Sequence, residues 1–198
     1  MSARLTAARL GVSQTVAWAS SYYLPAVMAG PISHSLGIAP AEVFFGLSGA
    51  LLLSALLAPV VGRAMEHLDG RRILAASNGV FASGLLILST AKTPWGMVGA
   101  WGLLGLAMAM GLYDAAFSVL TRLYGAAAKE PITVVALVAG FASTVGWPAT
   151  AWMDHILGWR LACVAWAALH LCVALPLNLS LPKATAPATP VRTVAIPP

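Results

Sequence analysis

Six apolar runs, each long enough to cross a bilayer as a helix, constrain this chain more than anything else in it. They lie near residues 13–33, 43–62, 73–91, 95–119, 132–152 and 160–180. About 20 apolar residues, rising 1.5 Å each, cover the roughly 30 Å of bilayer hydrocarbon. Within hydrocarbon, every backbone N–H and C=O must find a partner inside a helix or a closed barrel. Barrel strands alternate with period two over about ten residues, and these runs do not. The expected fold is therefore all-α, a polytopic membrane protein of six transmembrane helices. Residues 1–12 form an N-terminal extension. Residues 181–198, LPKATAPATPVRTVAIPP, form a flexible Pro/Ala/Thr-rich tail. Only 9% of residues are charged, against about 25% in a soluble domain, so lipid is the natural solvent.

Charge falls in the gaps between the runs. The segment GRAMEHLDGRR, Gly62 to Arg72, holds three of the eleven basic residues and two of the six acidic ones. A turn this polar sits in water. With the N-terminus inside, the inner basic residues are Arg4, Arg9, Arg63, Arg71, Arg72, Arg122, Lys129, Lys183 and Arg192, and the outer ones are Lys92 and Arg160. That bias places both termini in the cytoplasm and suits a cell (inner) membrane location. The net charge of +5 is not a nucleic-acid signal, because the basic residues are not gathered on one amphipathic face with aromatics. Cys163 and Cys172 have no metal or disulfide spacing, and neither a metal nor a cofactor is expected.

Small residues recur at every fourth place of the second run: Gly46, Ala50, Ser54 and Ala58, ending at Gly62. Gly140 and Thr144 continue a similar line in the fifth. Residues four apart share a helix face, and a face without bulk lets another backbone come close. These stripes predict a bundle interface, with ordinary packing inside the unit as the alternative. Asp114 is the one acid well inside an apolar run. Intramembrane carboxylates are costly and mark function by default, and an ion pair with Arg71 or Arg72 is the expected arrangement. Gln14, Trp18 and Tyr22 share a face of the first run. With Trp147 they are candidates for a solute cavity. His170 is expected to be a packed or hydrogen-bonded imidazole, since no second ligand stands at metal spacing on its helix. Residues 46–49, GLSG, with a late histidine, resemble the serine motif of rhomboid intramembrane proteases. In that family, however, the motif lies on the fourth span, whereas Ser48 is on the second and inside a small-residue stripe.

The segment from Gly62 through Glu66 to Gly70, Arg71 and Arg72 resembles the loop signature of the major facilitator superfamily. That signature is a glycine, three residues, an acid, then a turn into glycine and two basic residues. Glu66 stands in place of the usual Asp, and Gly70 comes one position late. LYDAAFSVLTRLYG (Leu112–Gly125), GFASTVGWPAT (Gly140–Thr150) and GWR (Gly158–Arg160) resemble a bacterial branch of the same family. The resemblance implies a six-helix half of the fold, built as two inverted three-helix repeats. It also implies alternating-access transport of a small solute, with or without a coupling ion, and no enzymatic activity. Glu66, Arg71 or Arg72, and Asp114 would form a charge relay beside Gly62 and Gly70. Because family members have two such halves, the partner would be a second copy or a separate second half. A truncated or accessory membrane protein without transport activity is the alternative.

Overall fold

The computed structural model describes residues 2–183, and nearly all of them are helical. The helices are α1 (Ala3–Ser20), α2 (Leu24–Leu36), α3 (Pro40–His67), α4 (Gly70–Thr90), α5 (Pro94–Gly111), α6 (Tyr113–Tyr124), α7 (Lys129–Gly140), α8 (Ala142–Leu157), α9 (Trp159–Leu169) and α10 (Leu175–Leu179). A 3₁₀ turn at Gly125–Ala128 precedes α7, and a π turn at His170–Ala174 joins α9 to α10. Four stretches are long and apolar enough to cross a membrane: Pro40–His67, Gly70–Thr90, Pro94–Leu157 and Trp159–Leu179. The third is 64 residues long and contains α5 through α8. The pair α1–α2 falls outside this set, because Arg4 and Arg9 dilute α1 and α2 has only 13 residues.

Every expected apolar run is helical, but only the second and third are single helices. The others are interrupted, each for a local reason. After α1, the hydroxyls of Ser20 and Ser21 bond back to the carbonyls of Val16 and Ala17. Pro25, at the start of α2, has no N–H to extend the ladder. Between α5 and α6 the backbone is extended at Leu112. Between α7 and α8 the Phe141 N–H turns to the Val138 carbonyl. The π turn precedes Pro176, whose ring would clash with a carbonyl four residues back in a regular helix. Helix ends also overrun the apolar runs, because caps rather than hydropathy stop them. The Ser2 side chain caps α1 at Leu5 N–H, so residues 3–12, expected as an extension, are the first turns of α1. Of the expected tail, Leu181 is buried in the core, and residues 184–198 lie outside the described range.

Helix α4 runs through the middle of the bundle, packed on α5, α9 and α10. Helix α1 lies along α7 and α8, and α5 seats α3. Lipid tails are as apolar as leucine, so close approach of backbones carries much of the packing in such a bundle. Gly105 provides one such approach: a Cβ there would stand 2.7 Å from the Ala50 carbonyl oxygen. Gly46 does the same beneath the Trp101 indole. The first half of the α3 stripe is thus internal packing against α5, a correction to its expected outward role. The sequence pattern could not distinguish the two, because Trp101 and Gly105 lie about fifty residues further on. Ser54 and Ala58 are half-buried, and Gly62 is exposed. In the fifth run, Gly140 and Thr144 are exposed, while Gly146 meets Ala19 of α1.

Candidate functional site

Side chains of α1 reach the helix interruptions. Gln14 Nε2 donates to the Gly111 carbonyl at 2.6 Å, at the end of α5. The Thr15 hydroxyl reaches the Val138 carbonyl near the end of α7 at 3.4 Å. Ser20 meets His170, the first residue of the π turn, at 2.7 Å. Gln14 to Ser20 is about 9 Å along a helix, so these breaks lie at nearly one depth. Broken helices at a shared depth are how transporter folds build a binding site away from either surface.

At this level the side chains form an aromatic cluster. Trp18 stands 4.9 Å from Tyr113, 5.3 Å from Tyr22 and 6.2 Å from Tyr23, centroid to centroid. Tyr23 meets Trp147 edge-on at 5.9 Å, and Tyr113 stacks on Phe117 at 5.0 Å. Beside Trp18 and Tyr113 opens a cavity of about 320 Å³, lined also by Leu51, Ser54, Ala55, Ala58, Met108, Ala109, Leu112 and Asp114. Asp114 is exposed to it, in the first turn of α6. No lysine, arginine or histidine lines the cavity, and among the described residues Asp114 has no ion pair.

The expected cavity residues divide accordingly. Trp18 lines the cavity, and Tyr22 and Trp147 are partly exposed members of the aromatic cluster. Gln14 is fully buried and holds the end of α5 rather than lining the space. Two polar atoms here have no hydrogen-bond partner despite their burial: Gln14 Oε1 and Trp18 Nε1. Tyr113 was missed by the sequence reading, because nothing in its local sequence points to Trp18, ninety-five positions earlier. Its signal was its place beside Asp114.

The charged knot is arranged differently from the expected relay. Asp69, not Glu66, is the acid that Arg71 meets: Arg71 Nε donates to Asp69 Oδ2 at 2.8 Å. The same carboxylate accepts the Arg71 N–H at 3.3 Å and caps α4. Arg122, from α6, donates to the Glu66 carbonyl at 3.3 Å. Gly70 lets the start of α4 touch α6, where a Cβ would meet Val119. The side chains of Glu66 and Arg72 are exposed, and neither has an ion pair among the described residues. Among the described residues no ion pair joins Asp114 to Arg71 or Arg72. A carboxylate two residues from the arginine, free to cap the same helix, competes better than one across the bundle. Replacing Asp69 with alanine removes this cap and is expected to cost about 1 kcal/mol. Hydrogen exchange at the amides of residues 70–73 should accelerate, while Asp69→Ser should restore most of the protection.

Opposite this end, Arg160 donates to the Ser89 carbonyl at 2.7 Å and to the Ser35 hydroxyl at 3.2 Å. It thereby fastens α9 to α4 and α2. His170 is hydrogen-bonded, as expected, and stacked on Phe81 at 4.7 Å. Ser48 instead bonds to its own helix at the Phe44 carbonyl, and the imidazole faces Ser20. Among the described residues Ser48 forms no pair with His170. Among the described residues no group of His, Cys, Asp and Glu could hold a metal ion.

An all-helical membrane bundle, broken at one depth around a solute-sized cavity, has the form of a membrane transporter. The chain belongs to the Major Facilitator Superfamily, whose family model matches residues 10–195. It is accordingly a multi-pass membrane protein of a family of secondary transporters that act on small solutes, not of an enzyme family. A comparison with curated protein sequences returned no match.

Proposed function

We propose that this chain is one six-helix half of a secondary transporter, moving a small solute by alternating access against a second bundle. The carrying observation is the exposed surface around the cavity. Only Val43, Ala50 and Met65 of the 28 residues of α3 are buried. Beyond Ala50, its stripe runs along the cavity wall through Ser54 and Ala58. The face with Gly140 and Thr144 is likewise open, flanked by exposed Leu137, Phe141 and Val145. A second bundle seated on these two faces would close the cavity, and rocking the bundles would open it to either side. In this reading α1 with α2, α3, α4, α5 with α6, α7 with α8, and α9 with α10 make six crossings of a cell membrane, in two inverted repeats. The basic end carrying Arg63, Arg71, Arg72 and Arg122 then faces the cytoplasm with both termini. The knot serves as a gate: Asp69 holds Arg71, while Glu66 and Arg72 remain available to the opposing bundle.

The test is the stoichiometry of the full chain in lipid bilayers, by single-molecule photobleaching at low protein density. Two copies per spot, or stable co-purification of another six-helix protein, is the expected result. Leu52→Cys and Val145→Cys, both exposed, should then cross-link to the partner. A chain that is monomeric at every density, with no partner and no cross-link, is a non-transporting accessory protein.

A further inference from the structure

We infer that the cavity beside Trp18 takes a solute carrying a positive charge on nitrogen, an organic ammonium, with Asp114 as its counter-charge. The inference rests on the cavity being the solute site. It goes further by naming the class of ligand.

Three observations point the same way. The cavity holds one formal charge, the Asp114 carboxylate, and no basic side chain lines it. An anionic ligand would meet an uncompensated like charge there, whereas a cation would neutralise it in a partly desolvated site. The walls next to that carboxylate are electron-rich ring systems. Trp18 and Tyr113 both line the space, with Tyr22 and Tyr23 behind Trp18. Aromatic faces attract alkylammonium groups through the ring quadrupole, and tryptophan does so best. Such a cation needs little hydrogen bonding. The site offers it few donors to compete with, since Trp18 Nε1 is buried and has no partner.

A polyhydroxylated solute such as a sugar would call for a different lining. It would need several amide, carboxyl or guanidinium groups to exchange for its water. Here the polar lining is one carboxylate, the Ser54 hydroxyl and the Tyr113 phenol, among leucine, alanine and methionine. A space of about 320 Å³ lies in the range of small-molecule sites and admits an ammonium of choline size.

The test uses three ligands of nearly equal shape on the full chain in detergent micelles: choline, the uncharged 3,3-dimethyl-1-butanol and the anionic 3,3-dimethylbutyrate. Isothermal titration should give saturable binding for choline alone. Asp114→Asn should weaken it about tenfold or more, Asp114→Glu only a few-fold, and Trp18→Leu about fivefold. Equal binding of the neutral or anionic ligand, or unchanged choline affinity in Asp114→Asn, overturns the proposal. Because the three ligands are compared on the native chain, a variant that fails to fold leaves the test standing. Absence of binding by all three in a chain that does pair in bilayers overturns the ammonium site and leaves the transporter reading intact. Choline binding by a chain that never pairs supports the site and counts against the half-transporter.

Discussion

Gly105→Val should unseat α3 from α5. The added Cβ would lie 2.7 Å from the Ala50 carbonyl oxygen and 2.9 Å from its Cα. Both are backbone atoms, so no side-chain rotation relieves the contact and the helices themselves must separate. Trp101 rests over Gly46 one turn further along the same seam, so the separation spreads to the indole. Overpacking of this kind costs about 3 kcal/mol, the upper part of the usual range. In detergent the unfolding midpoint should fall by about 6–12 °C. Gly102→Val is the control, since a Cβ there meets nothing within 4 Å. If both substitutions shift the midpoint equally, close approach is not what joins these helices.

His170→Leu should be the second large loss, for a different reason. Asn78 Nδ2 donates to the Leu74 carbonyl at 2.8 Å, which turns Asn78 Oδ1 toward the imidazole as an acceptor. His170 Nδ1 therefore carries the proton, and Nε2 accepts from the Ser20 hydroxyl. Leucine removes the donor and leaves Asn78 Oδ1 buried with no partner. Ser20 suffers less, because its hydroxyl can turn to the Val16 carbonyl at 2.8 Å. One orphaned buried acceptor costs about 1–3 kcal/mol, and the lost stacking on Phe81 adds to it, so about 2–3 kcal/mol in all is expected. Thermal unfolding of His170→Leu beside His170→Leu/Asn78→Leu checks the account. The double variant removes the orphan and should recover part of the loss. A double variant less stable than the single one would refute the orphan argument.

What could be read from the sequence follows from how local each feature is. The apolar runs and the polar segment between the second and third are contiguous, so the helical fold and the position of the knot were legible. The helix breaks were not, because Leu112 and Phe141 are as apolar as their neighbours and hydropathy does not register an extended backbone. Asp114 stood out by its own chemistry, and its place at the cavity was half legible. Its partners were not, because Trp18 and Tyr113 meet only through the packing of α1 against the gap between α5 and α6. Asp69 lies inside the legible polar segment, but its pairing with Arg71 was not singled out. Its role was nonetheless local, the cap of α4 and the anchor of Arg71. The small-residue stripe of α3 showed a tendency to pack closely without showing the direction, and α5 claimed its first half.

The shared depth of the interruptions has a mechanical consequence. A helix resists bending through its unbroken ladder of hydrogen bonds, and a missing rung is a joint. The joints of the α5–α6, α7–α8 and α9–α10 rods are met by α1 between Gln14 and Ser20, about 9 Å along its axis, and the α1–α2 rod has its own just beyond Ser20. Among the described residues only α3 and α4 pass that level as continuous helices, and α3 carries Pro59 within it. The bundle is thus two storeys on two pillars. A tilt of the storey carrying Arg71 and Arg122 would be absorbed at the floor between them, where Trp18, Tyr113 and Asp114 stand.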